Sequence, residues 1–162
     1  MKAPGEGTDA TGAVLRSLLW LLLGGWVGSW ACFGILIAPT AFRVLPSTEM
    51  AGTLVGPVLT ALHVYGAIAG IGLAVIALLL ERGRLRIALP VLMTVACLYT
   101  QFGVSSEIAE IRDLAFGPEG SEVMAARFNE LHEISLGIFK LVSAATLVLV
   151  VLHAISDSPR RP

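Results

Sequence analysis

Residues 50–80 read MAGTLVGPVLTALHVYGAIAGIGLAVIALLL, 31 consecutive positions without Asp, Glu, Lys or Arg and with one histidine, His63. A helix needs about 20 residues to cross a hydrocarbon layer of ~30 Å, so this stretch is long enough to span a bilayer. Three more runs have the same character. Ser17–Phe42 and Ile87–Ser106 hold no charged residue, and Ile134–Ser156 holds only Lys140. Lipid offers backbone groups no partner, so spanning segments are helices or closed barrels. No run alternates with period two, which excludes a barrel strand pattern. The fold class expected is therefore all-α: an integral membrane four-helix bundle, with spans three and four extended as an outward helical hairpin.

The composition agrees. The chain is 56% hydrophobic and 14% charged over 162 residues, against roughly 45–50% and 25% in soluble domains. A net charge of −1 gives no basic excess to neutralise phosphates, so nucleic acid is not an expected partner. The domain organisation expected is an N-terminal tail (1–12), one four-span transmembrane domain (13–156, spans about 15–38, 54–80, 87–106 and 133–155) and a C-terminal tail (157–162). The first run is too long for the apolar core of a signal peptide, and Trp30 and Phe33 continue through it, so it reads as a retained span. Pro39, lacking a backbone donor, is expected to end or kink it.

Basic residues set the expected orientation. Lys2, Arg16, Arg82, Arg84, Arg86, Arg160 and Arg161 flank one side of the spans, and Arg43, Arg112 and Arg127 the other. The positive-inside rule then places both termini in the cytoplasm, with the protein in the cell inner (plasma) membrane. Glu81-Arg82-Gly83-Arg84-Leu85-Arg86 becomes a short topology-fixing turn, with a lipid-headgroup site as its alternative use. The Ser106–Ile134 loop becomes a long acidic outer region, broken at Gly117-Pro118-Glu119-Gly120. Folding there sets Glu110 near Arg127, and Ser105 and Glu107 near His132. Arg112 and Arg127 read as partners for loop carboxylates.

Candidate chemistry gathers at the outer ends of the spans. An imidazole inside a span is costly without a partner, which singles out His63. Gln101, Glu107, His132 and Ser135 lie at comparable depth, and the five form a candidate outward-facing polar pocket. Its ligand, a small solute, a metal ion or a proton, stays open. His63, Glu107 and His132 are the candidate metal ligands, since two imidazoles and a carboxylate suit a divalent cation, a proton relay or haem. Against this stands a plain packing role. Each histidine needs only one structural hydrogen bond, and Gly24-x-x-x-Gly28 and Gly66-x-x-x-Gly70 match helix-packing spacing. His153 reads as interfacial. Cys32 and Cys97 read as small apolar residues. No catalytic signature occurs, so no catalytic residue is assigned and no cofactor is required, although haem or a divalent metal fits the residue types. Two other functions remain open: a haem-binding or redox membrane enzyme, and a structural or assembly subunit acting through the outer hairpin. The chain is also compatible with a homo-oligomer.

Three stretches carry a family resemblance: Ile37-Ala38-Pro39-Thr40-Ala41-Phe42-Arg43-Val44-Leu45-Pro46 after span one, Ala51-Gly52-x-x-Val55-Gly56 entering span two, and Phe128-x-x-Leu131-His132-x-x-Ser135 entering span four. Together they resemble a family of small bacterial membrane proteins, domain of unknown function 4149, related to eukaryotic transmembrane-protein-205-like proteins. Such proteins often carry an Asn one turn after the Ser, where this chain reads Gly137-Ile138-Phe139-Lys140. The resemblance implies a four-span membrane protein of unassigned activity, with Pro39, Phe42, His132 and Ser135 as pattern positions.

Overall fold

The computed structural model describes residues 6–158, with side chains from residue 10 onward. These residues form six α-helices and two π-helical segments: α1 (Glu6–Ala31), a first π segment (Cys32–Ile37), α2 (Ala38–Val44), α3 (Thr48–Leu79), α4 (Arg84–Tyr99), a second π segment (Thr100–Ser105), α5 (Ser106–Phe116) and α6 (Glu122–Asp157). The π segments join their flanking helices end to end. Four rods result, Ala10–Val44, Thr48–Leu79, Arg84–Phe116 and Glu122–Asp157, each long and apolar enough to cross a membrane. The shortest has 32 residues, or ~48 Å at 1.5 Å per residue, so every rod exceeds the hydrocarbon thickness. Residues 6–12 of the expected N-terminal tail belong to α1. Residues 1–5 and 159–162, with Lys2, Arg160 and Arg161, lie outside the described residues.

Short links make sequential rods antiparallel neighbours. α1 packs on α3 and α6, and α4 packs on α3 and α6. Among the described residues α1 does not meet α4, and α3 does not meet α6. The rods thus form a square, with diagonal partners across the core. That core is built by Leu19, Leu23, Trp26, Trp30 and Phe33 from the first rod, Leu62, Leu73 and Ile76 from the second, Met93 and Cys97 from the third, and Val142 and Leu149 from the fourth. The outside is equally apolar: Leu21, Ile35, Phe102 and Leu141 are all about two-thirds or more exposed. A surface of this kind far exceeds the apolar patches of soluble monomers, and lipid is the medium that accommodates it.

Of the two effects expected of Pro39, an end or a kink of span one, the end does not occur, since the first rod continues to Val44. The π segment directly precedes α2, and the Ala38 N–H donates to the Phe33 carbonyl, five residues back. This wider turn admits the proline into the first turn of α2, where its missing donor costs least. Elsewhere the local rules hold. The Ser47 side chain caps α3 by accepting from the Met50 N–H at 3.1 Å. Gly117 closes α5, where a Cβ would come within 2.4 Å of the Asp113 carbonyl oxygen.

Glycine sets the closest helix pair. A Cβ on Gly70 would lie 2.2 Å from Thr94 Oγ1 and 2.9 Å from the Pro90 carbonyl oxygen, and one on Gly66 would lie 3.0 Å from Cys97 Sγ. The Gly66-x-x-x-Gly70 motif is therefore spent on α3–α4 contact. Gly24 and Gly28 have nothing within 4 Å, so that motif serves no contact within the chain.

Candidate functional site

The first and third rods meet α3 at His63, and the fourth reaches it through Trp30. His63 sits halfway along α3 and is 1% exposed. Trp30 of α1 approaches its ring edge-on, with centroids 6.0 Å apart. The same indole stacks on Phe139 of α6 at 4.7 Å, and Phe33 packs on Phe139 at 5.6 Å. From the third rod, Gln101 reaches the imidazole. It is the second residue of the second π segment, whose extra residue shifts the register of the helix face beyond it.

This centre is polar inside an apolar bundle, and its hydrogen bonds are not closed within the chain. Although Gln101 lies beside His63, neither imidazole nitrogen nor Gln101 Oε1 has a partner in normal hydrogen-bond geometry. The buried indole nitrogens of Trp26 and Trp30 have none either. Trp26 and Trp30 adjoin, with ring centroids 6.4 Å apart. One layer therefore presents two N–H donors, an amide oxygen and an imidazole that both donates and accepts. A buried polar group left unsatisfied costs about 1–3 kcal/mol, so five such atoms together call for a small polar partner from outside the chain, water or a solute.

Glu107 and His132 lie in a different layer. His63 and Phe139 both touch Trp30, and His132 precedes Phe139 by seven residues, ~10 Å along the helix. His132 is exposed and stacks on Phe128 at 6.4 Å. Glu107, six residues beyond Gln101, accepts from Arg127 Nε at 2.8 Å, while Arg127 Nη1 donates to Glu130 at 2.9 Å. Ser135 is buried on α6. Thus His63 and Gln101 come together, Glu107 is held by Arg127, and His132 sits on an aromatic face. Among the described residues no group of three or more His, Cys, Asp or Glu stands close enough to hold a metal ion.

Several local expectations shift. Arg127 bonds Glu107 rather than Glu110, one turn further along α5. Phe116 meets Phe128 at 4.9 Å. Arg112 makes no ion pair among the described residues and lies instead over Gly52 and Gly56 of α3. His153 is fully buried within the bundle, with both nitrogens unpartnered, beneath Arg82, Arg86 and Asp157. Trp26 and Trp30, which the sequence did not single out as candidates, prove to be members of the polar layer. Their helical spacing with Phe33 marks a buried face but carries no sign that their N–H groups lack acceptors.

Pro39 and Phe42 sit together on α2, with Phe42 half-exposed. No curated protein and no solved structure matches the chain. A family model described as Domain of unknown function (DUF4149) matches residues 21–116. The match includes Trp26, Trp30, His63, Gln101 and Glu107, together with the Pro39–Phe42 and Gly52–Gly56 stretches, and stops short of His132 and Ser135. It covers 96 of the 162 residues, more than half of the chain, which therefore belongs to the DUF4149 family.

Proposed function

We propose that this multi-pass membrane protein handles a small polar solute, in the narrowest case a proton carried with water, at the His63–Gln101 centre. It would be a non-enzymatic protein of the inner membrane with both termini in the cytoplasm. One observation carries the reading: five buried polar atoms on Trp26, Trp30, His63 and Gln101 have no partner in normal hydrogen-bond geometry within the chain, around the Trp30–His63 contact. An apolar bundle does not keep such a layer without a use, because leucine at the same positions packs at lower cost. Imidazole is the side chain that takes up and returns a proton near neutral pH. The enclosure of His63 favours a very small occupant over a bulky one. The Glu107–Arg127–Glu130 triad lies ~9 Å along the third rod, where it would face outward and hold α5 against α6 above the centre.

The test is thermal stability of the purified protein in nanodiscs, scanned from pH 5 to 8 and with divalent metals, for the wild type and His63→Leu. The reading expects a wild-type dependence on pH or on one metal that His63→Leu abolishes while remaining folded. Equal responses in the two proteins, or none in either, overturn it.

A further inference from the structure

The end of the bundle opposite the Arg127 triad carries a second polar site. The link after α3, the start of α4 and the end of α6 enclose a cleft of about 510 Å³. Three arginines from three elements line it: Arg16 of α1, Arg82 of the link and Arg86 of α4. Arg82 is committed, because it bonds the Asp157 carboxylate, which also accepts from Trp20 Nε1 at 3.0 Å. Arg86 uses only Nε, 2.9 Å from the Leu152 carbonyl oxygen, so its two terminal nitrogens remain as donors. Arg16 makes no ion pair among the described residues. With Glu81 and Asp157 as the lining carboxylates, three guanidinium groups leave one net positive charge.

What adjoins the cleft identifies its ligand. Ile155, which lines the cleft, is 63% exposed, and Leu79, next in the chain to the lining Leu80, is 61% exposed, so the cleft borders the apolar outer faces of the second and fourth rods. A free anion would use the arginines and have no use for this apolar flank, whereas a phospholipid would use both. We propose that the cleft binds the phosphate of an anionic phospholipid, with Arg16 and Arg86 as the phosphate contacts and the Leu79 and Ile155 side carrying an acyl chain. Asp157, neutralised by Arg82 and Trp20, fixes the wall instead of repelling the headgroup. The site is independent of the His63 centre.

The experiment measures lipid retention by native mass spectrometry, and thermal stability in nanodiscs of phosphatidylglycerol or phosphatidylcholine, with inorganic phosphate alone as a third arm. The expected result is preferential retention of phosphatidylglycerol. A basic residue near an anionic lipid surface contributes roughly fivefold in affinity, so Arg16→Gln should weaken retention about fivefold and the Arg16→Gln, Arg86→Gln pair about 30-fold. Arg127→Gln, at the opposite end, should leave retention unchanged. If the pair fails to fold, Arg16→Gln, whose side chain makes no ion pair, decides alone. Equal retention of the two lipids, or retention indifferent to Arg16→Gln, overturns the proposal. Stabilisation by inorganic phosphate as large as that by phosphatidylglycerol overturns the lipid assignment in favour of a free-anion site.

Discussion

Gly70→Ala probes how tightly the second and third rods are joined. The added Cβ would stand 2.2 Å from Thr94 Oγ1, 2.9 Å from the Pro90 carbonyl oxygen and 3.3 Å from the Trp26 ring. Thr94 can rotate away, giving up its 3.4 Å contact with the Ala67 carbonyl. The Pro90 oxygen is backbone, so relieving that contact means moving α3 away from α4. Overpacking of this kind costs about 1–3 kcal/mol, against a gain of at most ~1 kcal/mol for alanine over glycine in a helix. A net loss of about 1–2 kcal/mol is expected. Gly28→Ala is the internal control: nothing lies within 4 Å of its Cβ, so only the helix gain remains. The assay is reversible unfolding in mixed micelles for both variants, together with a Gly70→Ala, Thr94→Ala double-mutant cycle. Removing the hydroxyl should recover part of the loss and appear as a favourable coupling. If Gly70→Ala costs no more than Gly28→Ala, or the cycle shows no coupling, the close α3–α4 approach is not what holds the rods together.

Three further outcomes are expected. Trp30→Ala removes an indole that touches His63 and Phe139 at once and should cost about 3–5 kcal/mol in the same unfolding assay. Glu107→Gln should loosen α5 from α6 and raise hydrogen exchange across 106–127 without touching the His63 layer, with an effect that shrinks as salt is added. Asp157 lies past the apolar stretch of α6. Burial pushes its carboxyl up, but hydrogen bonds from Arg82 and Trp20 outweigh this and hold it below its ordinary value. A carboxyl lowered on folding stabilises the folded state above its unfolded value of ~3.9, and that contribution disappears as pH falls through the lowered folded value. Acid unfolding below about pH 4 should therefore be less steep in Asp157→Asn than in the wild type, read by circular dichroism.

Within the candidate site, the sequence marked His63 and Gln101 because each is a costly residue inside an uncharged run. The same logic could not reveal that Glu107 and His132 belong to another layer, since depth along one helix says nothing of what stands beside it on the next. The Glu107–Arg127 bond depended on how the 117–121 link turns, which leaves no periodic trace. His153 read as interfacial from its place near a helix end, and its burial depends on side chains from other helices. Pro39 was expected to end or kink span one, and the π segment before it carries the rod on to Val44.

The all-helical, four-span architecture was legible in the sequence, because four apolar runs of 20 residues or more, charged only at Lys140 and without period-two alternation, leave the helix as the structure that closes its own hydrogen bonds in hydrocarbon. The sequence also determined which loops are basic and which acidic. Only the tertiary structure decided that α1 faces α4 across the core, that Gly66 and Gly70 join two rods while Gly24 and Gly28 join none, and that Trp26, Trp30, His63 and Gln101 share one polar layer. Membership of a bilayer follows from each residue's own transfer free energy, which sums along the chain. The layer arises from side chains on three different rods, and the register that aligns them is set by packing and by the π segment that holds Gln101.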